Sequence, residues 1–267
     1  MTTLRVAIVT GAAKGIGAAI AKRLLVENYS VALVDHDREG LERQQAATHG
    51  ASASAHCIVG DLTEMAFVHS LVDRVCQRFG RVDLLVNNAA WRETMTMREI
   101  SLESWERTIR VCLTAPAFLA RDAAQRMEIQ GGGVIINIGS TMAHQAAGFA
   151  PAYVACKGAM ESLTYDLAAL YGPHGVRVVN ISPGPIDTDL SRDLSNMHSR
   201  DELREFGESM TMLGRIGTPD EVANLVAWVA SKDATFLTGT TITLDAGWSR
   251  HHFPTPLAQR HFEAHKR

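Results

Sequence analysis

Tyr153 and Lys157 form the pattern Y-x-x-x-K, with Ser140 upstream of both. On a helix, residues i and i+4 share one face, so the ammonium of Lys157 can lie beside the phenol of Tyr153. A phenol in water titrates at about pH 10, which makes it a weak base and a reluctant acid at neutral pH. A neighbouring cation favours the phenolate and suits such a group to general acid–base work. Ser140 follows the apolar run Val134–Ile138 and Gly139, which predicts it at a strand's C-terminal end, where its hydroxyl can hold a substrate oxygen. The three types together suit proton exchange with an alcohol or carbonyl oxygen. Any long helix can carry Y-x-x-x-K by chance, so the pattern needs a second feature to support it.

That feature is the glycine-rich segment Thr10-Gly11-Ala12-Ala13-Lys14-Gly15-Ile16-Gly17. Its spacing is G-x-x-x-G-x-G, between an apolar strand pattern and an amphipathic helix pattern. Gly11, Lys14, Gly15, Ile16 and Gly17 would make a tight turn that lets backbone approach a pyrophosphate at a helix N-terminus. The G-K-[ST] ending of a P-loop is missing. Asp35 closes the next strand pattern. A carboxylate there accepts hydrogen bonds from ribose hydroxyls and repels a 2′-phosphate, which favours NAD and makes NADP the less suited cofactor. Lys14, His36 and Arg38 are the competing cations, any of which can meet a 2′-phosphate.

The elements that must position these residues alternate along the chain. Strands are expected at Leu4–Val9, Val31–Val34, His56–Val59, Asp83–Val86, Val134–Ile138, Arg177–Ile181 and Thr241–Leu244. Helices are expected at Gly17–Val26, Glu39–Thr48, Met65–Phe79, one long stretch over Ser104–Met127, Tyr153–Leu170 and Asp220–Ala230. Continuous apolar strands between amphipathic helices predict an α/β fold, a single doubly wound Rossmann-type parallel sheet covered on both faces. Residues 1–248 form one catalytic domain on this reading, and 249–267 form a tail. Within the domain, Asp187–Met212 is polar, carries both charge signs, and reads as a helical lid over the substrate.

The 267 residues are 46% hydrophobic with a formal net charge of −3, which suits one large core and offers nucleic acid or an anionic membrane no electrostatic attraction. Cys57, Cys76, Cys112 and Cys156 make no C-x-x-C pair, and a reduced cytoplasmic setting is expected. No apolar run approaches the length of a membrane span, and the N-terminal residues carry no apolar signal core, so a soluble chain is expected. The tail histidines His251, His252, His261 and His265 lack metal-like spacing, and no metal site is read.

With these motifs in order, the chain resembles the single-domain short-chain dehydrogenase/reductase family over about residues 5–248. The resemblance rests on TGAAKGIG (Thr10–Gly17), Asp35, Asp61-Leu62, NNAA (Asn87–Ala90), Ser140, YVACK (Tyr153–Lys157), the run Pro183–Thr188, Arg215–Glu221 and Leu244–Gly247. It implies that Asp61 and Leu62 line an adenine pocket and that Asn88 lies against the nicotinamide-side ribose while Asn87 holds the strand end. It further implies that Tyr153 is the acid/base, that Lys157 binds that ribose and tunes Tyr153, and that Ser140 orients the substrate oxygen. Gly184, Ile186 and Thr188 would hold the carboxamide. A homo-oligomer, dimer or tetramer, is implied by analogy, with the tail crossing to a neighbouring subunit.

Two positions depart from the family pattern. Ala90 replaces a usual glycine, and Cys112 stands where an asparagine often completes a proton relay through water. A thiol cannot copy a carboxamide, so the expectation is that the backbone carbonyl keeps the relay while Cys112 packs. Trp91, Arg92, Met142, His144, Gln145 and Phe149 are expected at the substrate end, where Arg92 and the His144-Gln145 pair suit a carboxylate or several hydroxyls. A sugar, sugar acid or polyol is therefore preferred over a ring ketone, a dihydrodiol or an acyl thioester. The alternative to an enzyme is a dinucleotide-binding sensor or scaffold, which would have no chemical need for Ser140, Tyr153 and Lys157 together.

Overall fold

The structure, a computed structural model, describes residues 4–46, 54–145, 148–189 and 199–251. In chain order the strands are β1 (Arg5–Thr10), β2 (Tyr29–Asp35), β3 (Ala55–Val59), β4 (Leu84–Asn87), β5 (Gly133–Ile138), β6 (Val176–Pro183) and β7 (Thr240–Leu244). The helices are α1 (Gly15–Val26), α2 (Arg38–Ala46), α3 (Met65–Phe79), α4 (Leu102–Ile109), α5 (Ala115–Gln130), α6 (Pro151–Tyr171), α7 (Arg200–Met210) and α8 (Pro219–Val229). The strands form one parallel sheet in the order β3-β2-β1-β4-β5-β6-β7. After β3 the chain crosses to the far side of β1, so Ala7 pairs with Val31 of β2 on one side and Leu84 of β4 on the other. That reversal opens a crevice at the carboxyl ends of β1 and β4, where doubly wound sheets bind ligands.

The pleat of β1 divides the core in two. Ala7 and Val9 join Ile20, Leu24 and Leu41 from α1 and α2 and Val222 and Val226 from α8. Val6 and Ile8 face the other way, onto Val68 and Leu71 of α3, Leu119 and Met127 of α5 and Leu167 of α6. Each fully buried leucine, Leu24 and Leu71 among them, contributes roughly 1.5–3 kcal/mol of transfer free energy. The fold class read from the sequence is the one found. No helix among the described residues is long and apolar enough to cross a membrane.

The expected long helix over Ser104–Met127 is found as one uninterrupted helical stretch in which a π-helical segment, Arg110–Thr114, joins α4 to α5. Pro116 explains the π-helical segment. It sits in the first turn of α5 and has no N–H to return to the carbonyl of Cys112 four residues back, so the ladder widens by a residue. Ser101 starts α4 by accepting a hydrogen bond from the Ser104 backbone N–H at 3.1 Å. The expected lid over Asp187–Met212 contributes α7, whose Ser199–Glu202 capping box sets its first turn. Residues 190–198 of that segment lie outside the described residues, as do Thr48 of the second expected helix and the tail beyond His251 with His252, His261 and His265.

Candidate active site

A cleft of about 840 Å³ runs across the carboxyl ends of the first six strands. At its floor the β1/β4 crevice is closed by side chain to backbone bonds. The Asn88 carboxamide donates to the carbonyls of Thr10 at 2.9 Å and Gly11 at 3.2 Å, while the Thr10 hydroxyl oxygen accepts from the backbone N–H groups of Asn88 and Ala89. One layer deeper, Asn87 donates to Asn137 at 2.9 Å, and Asn137 donates to Thr164 of α6 at 2.9 Å. This buried amide chain ties β4, β5 and α6 together beneath the site, which fixes their relative heights.

Contact distances explain the glycines. A Cβ on Gly17 would stand 2.0 Å from the Gly11 carbonyl oxygen and 2.5 Å from the Asn88 amide nitrogen. Gly11 adopts φ +67° and faces the same amide, so neither position admits a side chain. Gly15, Ile16 and Lys14 line the cleft beside them. At the end of β2, Asp35 accepts from the backbone N–H of Ala13 at 3.1 Å through one oxygen and from Asp37 at 3.1 Å through the other. Each carboxylate oxygen keeps a further lone pair for a ligand hydroxyl. His36 also lines the cleft, with its ring nitrogen 3.2 Å from Asp35. Arg38 does not line it; its guanidinium is exposed, 3.9 Å from Glu42. Asp61 and Leu62 lie at the same end, past β3, and Gly184, Ile186 and Thr188 lie past β6. This narrow glycine cradle with an acid at the β2 terminus fits an adenine dinucleotide.

At the other end, Ser140 caps a short 3₁₀ turn by accepting from the Met142 backbone N–H at 3.1 Å. α6 carries Tyr153 and Lys157 on one face, both buried and both lining the cleft. Lys157 donates to the Ile138 carbonyl at 2.5 Å and its nitrogen lies 5.3 Å from the centre of the Tyr153 ring. A second cation lies over that ring: the Arg92 guanidinium carbon is 4.9 Å from its centroid. Arg92 also reaches the Met142 sulfur at 3.7 Å.

Cys112 is buried in the π-helical segment and does more than pack. Its thiol donates to the Trp91 carbonyl at 3.3 Å, and its sulfur accepts from the Trp91 backbone N–H at 3.4 Å. Burial pushes the Cys112 thiol up, against an opposing pull from Lys157, so at neutral pH it keeps the proton that it donates. Burial, and then the neighbouring Cys112, push Cys156 up to about 12. Both thiols are therefore poor nucleophiles.

Trp91, Arg92, Met142, Gln145 and Phe149 all line the substrate end, as the sequence predicts. His144 does not. Its ring nitrogen lies 2.6 Å from Glu161, facing a separate shallow surface hollow with Tyr165 and Arg250. It points away because the 3₁₀ turn that Ser140 begins ends at His144 and reverses its direction. Gly17 supports the cradle from behind instead of lining it. Lining residues that the sequence does not single out by themselves include Arg107 of α4, Trp248 beyond β7, and Phe206 and Met210 of α7, the last two within the expected lid segment. Arg107 and Val111 lie one helical turn apart and both face the cleft; that i, i+4 spacing was the available signal. Arg107 stacks on Trp91 with its guanidinium carbon 4.6 Å from the ring centroid, a contact worth about 0.5–1 kcal/mol at an exposed site.

A family model described as enoyl-(acyl carrier protein) reductase matches residues 11–249. An uncharacterized oxidoreductase of Thermotoga maritima is 37% identical over 91% of this chain and 95% of its own length. Cis-4-hydroxycyclohexanecarboxylate dehydrogenase of Sinomonas cyclohexanicum is 33% identical over 92% of this chain and 96% of its own. D-threitol dehydrogenase of Mycolicibacterium smegmatis is 34% identical over 92% and 93%. The crystal structure of acetoin dehydrogenase YohF from Salmonella typhimurium superposes with a TM-score of 0.84 at 31% identity, covering 93% of this chain and 97% of that one. The chain belongs to the short-chain dehydrogenase/reductase family, a family of oxidoreductases.

Proposed function

We propose that this protein interconverts a secondary alcohol and its ketone with NAD as cofactor. The observation that carries the reading is the buried Tyr153 phenol in the cleft with the Lys157 ammonium 5.3 Å from its ring. The nicotinamide supplies the hydride donor or acceptor when bound. Tyr153 exchanges the proton of the substrate oxygen, as base during alcohol oxidation and as acid during ketone reduction. Ser140 holds that oxygen in reach, and Lys157 keeps positive charge beside the phenol while anchored on the Ile138 carbonyl. Asn88, with Gly11, Gly15, Ile16 and Gly17, shapes the cofactor cradle; Lys14, Asp61, Leu62, Gly184, Ile186 and Thr188 line it. Asp35 supports NAD over NADP, because a 2′-phosphate would meet its charge.

Relatives named as dehydrogenases of D-threitol, cis-4-hydroxycyclohexanecarboxylate and acetoin support a polar, hydroxyl-bearing substrate such as a polyol, sugar or hydroxy acid. Trp91, Arg92 and Gln145 would receive it, with residues 187–212 as the lid. A dihydrodiol or ring ketone is the second reading of the substrate, favoured by the apolar Phe206, Met210 and Trp248. A homo-oligomer in the cytoplasm belongs to the same proposal, supported by four free thiols and by the exposed Trp228 and Phe236.

The test is NADH formation across polyols, sugars, sugar acids and dihydrodiols, with NAD and NADP in parallel. Tyr153→Phe should cut kcat by about 10²–10⁴ while NADH binding persists. Undiminished turnover in that variant would refute the role of Tyr153. NADH binding without turnover of any alcohol would instead favour the sensor or scaffold.

A further inference from the structure

We infer that Arg107, stacked on Trp91, receives a carboxylate group of the substrate at the outer end of the cleft. This rests on the oxidoreductase reading, and it narrows the substrate to a hydroxy acid or the corresponding keto acid.

The cation is held in a defined place. Cys112 grips the backbone of Trp91 through both its N–H and its carbonyl, at 3.4 and 3.3 Å. The indole so positioned carries the Arg107 guanidinium, 4.6 Å from its centroid. α4 supplies that arginine one turn before Val111, which faces the same cleft. A guanidinium held over a ring by its carbon keeps N–H groups for a further partner, in the fork geometry that matches a carboxylate. Among the described residues Arg107 forms no ion pair with a carboxylate of this chain.

Charge is distributed unevenly along the cleft. Its lining acids are Asp35, Asp61 and Asp189. The first two stand past β2 and β3, at the cofactor's adenine end. Asp189 follows Thr188 at the start of the segment that lines the cleft after β6. Around Trp91 and the Tyr153 ring the described lining is cationic, with Arg92, Arg107 and Lys157, and α7 adds Phe206 and Met210 to the same cleft. Apolar side chains and cations lining one cleft suit a molecule with a hydrocarbon body and one anionic terminus. Arg92, over the Tyr153 ring, adds positive potential between the anion and the reacting oxygen.

The experiment measures binding, so its outcome does not depend on turnover. Cyclohexanecarboxylate and cyclohexanecarboxamide, matched in shape and lacking an oxidisable hydroxyl, are titrated calorimetrically into the full-length protein loaded with NADH. The carboxylate should bind roughly tenfold or more tightly than the amide. Arg107→Gln should bring the two within about threefold, and Arg107→Lys should retain only part of the preference, since it keeps the charge and loses the fork. A melting curve on each variant separates recognition from unfolding. Equal binding of the two probes, no measurable binding of either, or a preference unchanged in Arg107→Gln overturns the inference. A protein that oxidises a neutral alcohol without preferring the carboxylate loses only this inference. One that prefers the carboxylate through Arg107 but never forms NADH keeps the anion site and loses the reaction.

Discussion

The two ends of the cleft are built by different means. The cofactor end is mostly backbone: Gly11 and Gly17 press against Asn88, and the Asp35 oxygens accept from the main chain of Ala13 and Asp37. Its contacts join segments that the parallel sheet already holds in register, β1 with β2 and β4. The substrate end is mostly side chains: Arg92 on Tyr153, Arg107 on Trp91, and Phe206, Met210 and Trp248 from elements far apart in sequence. The first end has no room to vary, because an added methyl group meets a carbonyl. The second can change its lining without disturbing the sheet, which is how one fold serves relatives named for different alcohols.

Substitutions on each side should break this contrast in different ways. Gly17→Ala carries the largest expected effect. Its methyl group would overlap the Gly11 carbonyl, so a loss of about 2–3 kcal/mol in urea unfolding should accompany loss of NADH affinity. Normal stability with normal cofactor binding would mean that the loop relaxes and the end is not rigid. Asp35→Ser should leave the fold intact and raise the NADP-to-NAD ratio of kcat/KM at least about tenfold, because the repulsion of a 2′-phosphate is gone. An unchanged ratio would transfer cofactor choice to Lys14 or His36.

Cys112→Asn is the mildest. A carboxamide offers a donor and an acceptor, so it can replace both bonds to the Trp91 backbone. Turnover should stay within about tenfold of the parent, or roughly 1.4 kcal/mol in barrier height. A much larger gain would show that the thiol cripples the proton path. A much larger loss would show that the buried space around residue 112 is too tight for the longer side chain.

Most of the sheet was legible in the sequence because its strands are buried on both faces and so read as continuous apolar runs, as in Val31–Val34 and Val134–Ile138. The helix over Ser104–Met127 was legible as helix, but its π-helical segment was not. Periodicity records which face is apolar, and it does not register a single missing N–H at Pro116. Nearness to Ser140 in sequence predicts His144 at the substrate end, yet after a single 3₁₀ turn its ring meets Glu161. Arg107 is the converse case: its i, i+4 spacing from Val111 is the one local signal, and its partner Trp91 comes from the loop after β4.

By itself, then, the sequence determined what depends on local spacing: the i, i+4 placement of Tyr153 and Lys157, the glycines that no larger residue can replace, the acid ending β2, and the alternation that dictates a covered parallel sheet. Tertiary structure alone decided which cations meet which rings, that Cys112 grips Trp91 and not merely a void, and that one histidine leaves the cleft while Arg107 enters it. The reason is range. Backbone conformation and helical faces follow from neighbours a few residues away, whereas a side-chain contact between α4 and the loop after β4 exists only once packing of the sheet and helices has brought both to the same height.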